Sequence, residues 1–375
     1  MLAQHVILVG YAKQALRADS RERQRMKLYA EAVSELHVVA LTNQSENFAS
    51  IQQDGNLLLY ATNSTTNFKK IFDGVRLIRK IINSTKEKQS WVVSSQDPFE
   101  TAFIVQLATL GTRATQQAQV HGDIFNPVMI TSVWQRLRVI YAKYILRLMP
   151  SIRVVSERIK KSLVSSGVSE DKIVVLPIIT DLKQFLLVGE DRRYGTTASD
   201  FLYVGRLAPE KNLELLIEAF ELAASKNANL NLTLLGDGSE KTKIEELVIA
   251  KSMAEKIKII PWTDNVAEVM KRCDVLCLTS NHEGWGMVLL EAAAAGLPVI
   301  TTDVGCVGEC IKHNQHGLVV DKTAAKVAAA ITDYASNAEL VEQHGRAGHE
   351  LGQAMNKSAQ GYVQKMVEGW SSGLL

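Results

Sequence analysis

The sequence predicts an α/β protein built from two consecutive doubly wound domains. The chain has 375 residues, and at roughly 100–200 residues per domain this length favours two domains. Along the whole chain, short apolar runs alternate with longer segments of helical period, which is typical of strand–helix–strand units around parallel sheets. With 46% hydrophobic residues, 22% charged residues and a net charge of +2, the composition excludes disordered and collagen-like classes.

The first half contains the first alternating series. Its candidate strands are the apolar runs at 5–9, 37–41, 57–60, 91–94, 118–121 and 153–156. Segments of helical period lie between them at 20–35, 68–84, 97–110 and 131–148. After Pro177, the stretch that runs through Gly189 and Gly195 to Asp200 has neither pattern. We therefore predict a first domain over 1–177, followed by an irregular linker.

A second series begins after this stretch. Its candidate strands are 201–204, 230–235, 257–260, 275–279, 299–301 and 318–320, and its helical segments are 212–226, 239–253, 264–272, 286–295 and 323–335. They predict a second domain over 178–356. A last helical segment at about 357–371 places Tyr362, Met366 and Trp370 on one face, so that face must pack against another part of the protein.

The small net charge conceals an asymmetry between the two halves. Residues 1–177 carry 23 Lys and Arg against 14 Asp and Glu, whereas residues 178–375 carry 19 against 26. One basic segment, 68–88, combines Lys69, Lys70, Arg76, Arg79, Lys80, Lys86 and Lys88 with Phe68, Ile71, Phe72, Val75, Ile78 and Ile82. A second segment, 133–153, combines Trp134, Tyr141 and Tyr144 with Arg136, Arg138, Lys143 and Arg147.

Two interpretations of these basic segments stay open. Basic amphipathic helices bind anionic membrane surfaces, but ordinary surface helices with one face in the core carry the same pattern. Binding of nucleic acid is not expected, because no recognition motif accompanies the charge. The N-terminus lacks an export signal and no apolar run approaches 18 residues, so we expect a cytoplasmic protein with, at most, peripheral contact to the inner face of the plasma membrane.

The four cysteines do not predict a metal site. They are Cys273, Cys277, Cys306 and Cys310, and structural zinc sites usually use tighter Cys-x-x-Cys spacings. Cys277 lies within a predicted buried strand. Free, buried thiols in a reducing compartment are the favoured interpretation.

Three predicted strand ends in the second half carry residues suited to a phosphorylated ligand. The segment 281–292 places Glu283 and Glu291 around a Gly-containing loop that opens into a helix, and helix N-termini bind anions through free N–H groups. The segment 201–212 places Arg206 and Lys211 just beyond another strand, where two cations could neutralise a diphosphate. A glycine turn at 234–239 follows a third strand. Each feature alone is also compatible with an ordinary cap, surface pair or turn.

Taken together, these segments resemble the donor-binding half of the retaining glycosyltransferase family four. The resemblance rests on the Glu-(seven residues)-Glu spacing, the Gly-Arg-Leu element with its following Glu-Lys-Asn, and the tail Gly-Leu-Pro-Val-Ile at 296–300, all in family order. It covers 150–322 most strongly. It implies the GT-B fold, in which two Rossmann-like domains face an interdomain cleft, with the C-terminal helix at about 357–375 packing back on the first domain.

The resemblance also implies roles for individual residues. Arg206 and Lys211 would bind the diphosphate of a nucleotide diphosphate sugar. Glu283 would bind the sugar and Glu291 the ribose hydroxyls. The backbone amides implied in donor binding are those of Gly286, Met287 and Val288. In the first domain, His121 ends the predicted strand 118–121 and stands at the family's position for a histidine near the sugar and the acceptor. A histidine there can hydrogen-bond a hydroxyl or stabilise developing charge.

The implied activity is a hexosyltransferase reaction. A UDP- or GDP-linked sugar would pass, with retention and without a protein-bound metal, to an acceptor hydroxyl of a glycan or a lipid-linked molecule, in cell-surface glycan or glycolipid synthesis. Two alternatives stay open, namely an inactive nucleotide-sugar-binding protein and a GT-B-like sugar-nucleotide epimerase. The sequence departs from the family after the first strand, where Gly10 is followed by Tyr11 in place of a Gly-Gly loop.

Overall fold

The computed structural model describes residues 5–84, 91–125, 132–178, 181–358 and 360–371. The chain forms two compact units. One contains Met1–Pro177 together with Gln360–Leu375, and the other contains Ile178–Ala359.

The first unit is an eight-stranded, mainly parallel sheet with helices between the strands. Its strands are β1 (His5–Gly10), β2 (Glu35–Ala40), β3 (Ile51–Asp54), β4 (Leu57–Ala61), β5 (Trp91–Ser95), β6 (Thr115–Val120), β7 (Ser151–Val154) and β8 (Ile173–Val175), in the order β3-β4-β2-β1-β5-β6-β7-β8. Its helices are α1 (Arg21–Ala30), α2 (Asn67–Ser84), α3 (Glu100–Thr109), α4 (Val133–Leu148) and α5 (Glu157–Ser165). Buried aliphatic residues of β1, β2 and β5 pack against α2 and α3 to form the core.

The sequence missed three elements of this unit. Strand β3 is half-exposed and polar, and it pairs antiparallel with β4 through a two-residue turn in which Gly55 has a φ of +65°. Such a turn favours glycine because φ is positive, so Gly55 and Asn56 were its only signal. The short strand β8 and helix α5 were missed as well. Strand β6 ends one residue earlier than predicted, at Val120.

The second unit is a six-stranded, fully parallel sheet. Its strands are β9 (Asp200–Val204), β10 (Asn231–Leu235), β11 (Ile257–Ile260), β12 (Val275–Leu278), β13 (Val299–Thr301) and β14 (Gly317–Val319), in the order β11-β10-β9-β12-β13-β14. Its helices are α6 (Lys183–Asp191), α7 (Leu213–Ala224), α8 (Lys241–Ala250), α9 (Val266–Lys271), α10 (Met287–Ala294), α11 (Ala324–Ser336) and α12 (Ala338–Ser358). The predicted doubly wound α/β class is confirmed.

Two helices of this unit correct the sequence prediction. The stretch 178–199 is not an irregular linker throughout, because α6 buries Phe185 and Leu186 within it. Helix α12 was missed because Gly345, Gly348 and Gly352 weaken its helical signal. These glycines permit close packing: a Cβ added at Gly352 would lie 2.6 Å from Ala294 Cα on α10.

The C-terminal helix α13 (Gln360–Ser371) belongs to the first unit. The face predicted from the sequence is buried, since Tyr362, Met366 and Trp370 are each less than 9% exposed. The Tyr362 ring stacks on Tyr29, and its hydroxyl accepts a 2.7 Å hydrogen bond from Arg153 Nη2. Apolar burial and this buried polar contact together attach α13 to the sheet.

Among the described residues, no helix has the length and hydropathy to cross a membrane.

Candidate active site

The candidate donor site lies at the carboxyl edge of the second sheet, where the loops after β9, β10 and β12 meet. Ligands of parallel α/β sheets bind at this edge. Gly205 follows β9 and Gly236 follows β10, and a Cβ added at Gly236 would lie 1.9 Å from the Gly205 carbonyl oxygen. Further along the same two loops, a Cβ added at Gly238 would lie 2.3 Å from the Leu207 carbonyl oxygen. These loops therefore touch through their backbones, which only glycine permits here.

Lys211 and Glu283 form an ion pair at the centre of this edge. Lys211 ends a short 3-10 helix after β9, and Glu283 lies in the loop between β12 and α10. Lys211 Nζ is 2.6 Å from Glu283 Oε1, and the two side chains are only 15% and 12% exposed. Ser280 Oγ donates a 2.7 Å hydrogen bond to the same carboxylate oxygen. The structure thus pairs two residues for which the family resemblance implies contacts with different parts of the donor.

Arg206 is arranged differently. Its guanidinium is 77% exposed and contacts Glu210 Oε1 at 3.0 Å, a surface pair worth at most about 1 kcal/mol. Its backbone is fixed, because the Tyr203 hydroxyl donates a 2.7 Å hydrogen bond to the Arg206 carbonyl oxygen. Burial raises the pKa of Tyr203, so the phenol stays a neutral donor. The Arg206 side chain can therefore change partners at little cost.

Further hydrogen bonds join the loops after β9 and β12. Asn281 N donates to the Glu210 carbonyl oxygen at 2.8 Å, and Thr279 Oγ1 donates to the Asn212 oxygen at 3.1 Å. Lys322 Nζ donates to the Asn281 oxygen at 2.8 Å. The sequence predicts no role for Thr279, Ser280 or Lys322, and it assigns none to the side chains of Tyr203, Asn212 and Asn281 although they lie within the segments singled out. For Thr279 and Ser280 a signal existed, because they directly follow a buried strand; Lys322 and Tyr203 gave none.

Helix α10 presents its N-terminus at this edge. Gly286 is the residue before the helix, has a φ of +77° and places no side chain over the first turn. The first N–H groups of a helix have no acceptor within it, and here they belong to Gly286, Met287 and Val288. Unpaired N–H groups at a helix N-terminus are suited to bind an anion, and binding of a donor phosphate here stays a prediction. The loop is held by Cys306 N, which donates to the Trp285 oxygen at 2.8 Å.

Glu291 lies on α10 itself and is half-buried. Its separation from Glu283 places one carboxylate before the helix and the other within it, as the spacing predicts. Its assignment to a ribose stays a prediction.

His121 belongs to the first unit and directly follows β6. Its side chain keeps an exposed surface, while the surrounding protein, followed by the charges of Arg153 and Arg25, lowers its pKa to about 4. An exposed imidazole with the ordinary value of 6.5 would also be mostly neutral above pH 7. His121 is therefore a neutral hydrogen-bonding group under physiological conditions.

The cysteines are free, as the sequence predicts. Burial raises the pKa of the Cys273 thiol to about 12 and that of Cys310 to about 11, so both are unreactive thiols at neutral pH. Among the described residues, the one group with metal-ligand geometry is His5, Glu35 and His37, at the opposite, amino edge of the first sheet.

Comparisons with known proteins match part of the second unit to a known family. Residues 192–351 match the family model described as glycosyl transferases group 1. An uncharacterized glycosyltransferase of Methanocaldococcus jannaschii is 33% identical over 153 residues, which are 40% of this chain and 42% of that protein. The N-acetyl-alpha-D-glucosaminyl L-malate synthase of Bacillus anthracis is 31% identical over 132 residues, 35% of this chain and 34% of that protein. The matches thus span about two fifths or less of these relatives' own length.

Solved structures extend the likeness to the whole chain. A sucrose-phosphate synthase from Thermosynechococcus elongatus has a TM-score of 0.79 at 17% identity, with 97% of this chain and 98% of that chain covered. Anabaena HepE in complex with UDP and glucose has a TM-score of 0.75 at 14% identity, with 98% and 99% covered. At this identity the likeness concerns the fold, and it confirms the predicted GT-B fold.

Proposed function

We propose that this chain, whose residues 192–351 belong to the glycosyl transferases group 1 family, transfers a sugar from a UDP- or GDP-linked donor to an acceptor hydroxyl with retention. The observation that carries the proposal is the Lys211–Glu283 ion pair, 2.6 Å long and nearly buried, beside the free N-terminus of α10. A nucleotide diphosphate sugar supplies partners for both members of this pair. The HepE structure, a neighbour in fold, contains UDP and glucose.

Donor binding would exchange the partners within the site. The diphosphate attracts the Lys211 ammonium, and the Arg206 guanidinium leaves its surface pair to join it. The Glu283 carboxylate is then released to accept hydrogen bonds from sugar hydroxyls, while Ser280 keeps it oriented. The amides of Gly286, Met287 and Val288 donate to phosphate oxygens, and Glu291 accepts from the ribose.

In the reaction, these groups would stabilise the departing nucleoside diphosphate. Two cations and a helix N-terminus supply positive charge where negative charge develops, and we propose on this ground that no protein-bound metal is needed. His121, as a neutral imidazole, would hydrogen-bond the sugar or the attacking hydroxyl. Attack would occur on the face that the nucleotide leaves, without a covalent glycosyl-enzyme.

Helix α4 supports a peripheral contact with an anionic membrane, where a lipid-linked acceptor would be found. Six large apolar residues of this helix are each more than half exposed, namely Val133, Trp134, Leu137, Ile140, Tyr144 and Leu148. The helix carries four basic residues and no acidic one, and Arg136, Lys143 and Arg147 follow one side of the apolar stripe. An apolar stripe flanked by cations matches an anionic lipid surface.

The other basic segment fits this role less well. In α2, Ile71 and Val75 pack against the core and Lys70 is buried, so only Phe68 and Phe72 are strongly exposed apolar residues there. Lys86 and Lys88 lie outside the described residues. In α4, Tyr141 packs edge-on against Phe103 and does not join the exposed stripe.

A donor panel tests the proposed function. The intact chain is mixed with UDP- and GDP-linked sugars, and its melting temperature is measured, since a ligand that binds only the folded chain raises it. Incubation with candidate acceptors then separates the alternatives. Transfer to an acceptor supports the proposal, an isomerised nucleotide sugar would indicate an epimerase, and donor binding without turnover would indicate a binding protein.

A further inference from the structure

The first unit contains a pocket that the donor site does not use. It lies at the carboxyl edge of the sheet, between the residues that follow β1 and β2 and the first turn of α2, and has a volume of about 360 Å³. Ligand sites for small molecules start at about 300 Å³. Its polar lining consists of Tyr11, Asn67, Lys70, Glu100 and Arg138, and aliphatic side chains complete the wall.

Most charges around this pocket are already paired. Arg138 Nη2 lies 2.9 Å from Glu100 Oε2. Next to Lys70, Lys13 Nζ lies 2.5 Å from Glu46 Oε1. Each pair neutralises its own charges. Among the described residues, Lys70 belongs to no such ion pair and contacts only the amide oxygen of Asn67.

Lys70 is held where a cation is unfavourable. It is only 6% exposed, and among the described residues Asn67 Oδ1, at 3.0 Å, is the acceptor that its Nζ contacts. Lysines are almost never this buried without a carboxylate partner. Lys70 also lies in the first turn of α2, which has no acidic residue, and the N-terminus of a helix is its positive end. An anion in the pocket would give the buried Lys70 ammonium an ionic partner, and it would offset the unfavourable position of this cation at the positive end of α2.

Tyr11 adds a hydrogen-bond donor to the same position. Lys70 Nζ lies 6.0 Å from the centre of the Tyr11 ring. Burial, followed by the nearby Glu100 and Asp97 carboxylates, raises the pKa of Tyr11 to about 12, so its hydroxyl keeps its proton. Tyr11 stands directly after Gly10, at the point where the sequence departs from the Gly-Gly loop of the family. The departure thus places a side chain at the pocket.

We propose that this pocket binds the oxyanion, a phosphate or a carboxylate, of an acidic acceptor, with Lys70 as its ionic partner and Tyr11 and Asn67 as donors. This inference rests on the proposed function, because a transferase requires an acceptor. The pocket and His121 lie on the same edge of one sheet. Strand β1 is separated from β6 by β5 alone, so the two positions are about 10 Å apart along the edge.

Binding of simple oxyanions to the intact chain tests the proposal. Inorganic phosphate, glucose 6-phosphate and succinate are titrated calorimetrically into the wild type, Lys70→Met and Lys69→Met; phosphate and succinate distinguish the two oxyanion sources. Lys69 is the exposed neighbour on the same helix and serves as the matched control. Loss of a charge-assisted contact predicts at least about tenfold weaker binding for Lys70→Met and unchanged binding for Lys69→Met. Equal affinity of Lys70→Met and the wild type overturns the proposal.

Stability gives a second, independent readout. Removing a buried, poorly paired charge is expected to leave the melting temperature of ligand-free Lys70→Met equal to that of the wild type or higher. A purely structural role of Lys70 predicts a lower melting temperature, and that result would count against the proposal. If Lys70→Met does not fold, Tyr11→Phe is used, for which weaker oxyanion binding supports the proposal and unchanged binding contradicts it.

The same preparations separate this inference from the proposed function. All titrations are repeated in Lys211→Ala, which removes phosphate binding at the candidate donor site. One outcome is that Lys211→Ala still binds the oxyanion in a Lys70-dependent way while the wild type binds no nucleotide sugar. This outcome supports the pocket and contradicts the glycosyltransferase proposal. Donor binding without any Lys70-dependent oxyanion binding supports the glycosyltransferase and contradicts the pocket.

Discussion

Lys211 Nζ and Glu283 Oε1 are joined at 2.6 Å although the two residues are 72 positions apart in the chain. The pair ties the loop after β9 to the loop after β12, and it is less exposed than the ion pair of Arg206 with Glu210. A nearly buried pair of this kind has two roles to separate by experiment. We expect it to stabilise the ligand-free unit, and under the proposed function its cation and carboxylate also bind the donor.

Lys211→Ala is expected to weaken both stability and donor binding. Among the described residues, removing the cation leaves the Glu283 carboxylate with Ser280 as its remaining side-chain partner. This should cost about 1–3 kcal/mol of unfolding free energy, because the site is not fully dry. Donor affinity should fall about 10- to 100-fold. Urea unfolding and calorimetry measure the two effects. Arg272→Ala, which removes an exposed pair with Glu268, is the control and should change neither.

Arg206→Ala is expected to separate the two roles. Because its guanidinium is exposed and weakly paired, stability should change by less than about 0.5 kcal/mol. Donor affinity should still fall about tenfold, since the charge-assisted contact with the diphosphate is lost. Thermal melts with and without donor decide the outcome. A large loss of stability, or full donor affinity, would show that Arg206 has another role.

Gly236→Ala tests whether backbone contact between the loops shapes the site. The new Cβ would meet the Gly205 carbonyl oxygen at 1.9 Å, so the loops after β9 and β10 must separate. We expect about 2 kcal/mol or more of lost stability and weaker donor binding. Gly361→Ala in helix α13, where nothing lies within 4 Å, is the control and should be neutral or slightly stabilising. Similar stability of the two variants would contradict the expectation.

The fold and the donor-side loops could be predicted because their signals are local. The candidate residues Lys211, Glu283 and Gly286 all follow apolar strands in a parallel pattern, and the carboxyl ends of such strands share one edge. Pairing was not predictable, because it depends on which strands are neighbours: β9 lies beside β12 although β10 and β11 come between them in the chain.

Burial was the other property that the sequence did not reveal. Lys70 belongs to the basic segment 68–88, for which the sequence predicts either a membrane-binding helix or an ordinary surface helix with one face in the core, and tertiary packing buries its side chain. Helix α12 was hidden for a related reason. Its glycines lower helix propensity locally, but they are needed for contact with α10, and packing outweighs propensity in the folded unit.

The proposed membrane contact leads to a separate prediction about α4. Trp134→Ser with Leu137→Ser removes two exposed apolar side chains from the stripe, and at about 1.5–3 kcal/mol for full burial of a large side chain, binding to anionic vesicles should fall at least about tenfold. Folding stability should change little, because both residues are exposed. Co-sedimentation with and without anionic lipid is the measurement. Ile249→Ser, an equally exposed apolar residue of α8, should bind as the wild type does.

His121 gives a prediction in pH. Its pKa is lowered to about 4 in the folded chain, against about 6.5 when unfolded. Between these values the unfolded chain binds more protons at this position, so stability falls as the pH is lowered from about 6.5 towards 4. His121→Gln removes this contribution, and its loss of unfolding free energy between pH 7 and pH 5 should be smaller than that of the wild type. The difference is reduced by solvent, because the side chain is exposed.

The same His121→Gln variant tests the catalytic assignment. If His121 hydrogen-bonds the sugar or the acceptor and does not contact the nucleotide, His121→Gln should bind UDP or GDP as the wild type does. Its transfer rate should fall about 100-fold. Calorimetry with the nucleotide and a transfer assay at pH 7.5 measure these quantities. At that pH the wild-type imidazole is neutral, so the loss cannot come from a missing positive charge. Unchanged transfer would remove His121 from the site, and weaker nucleotide binding would assign it to the donor.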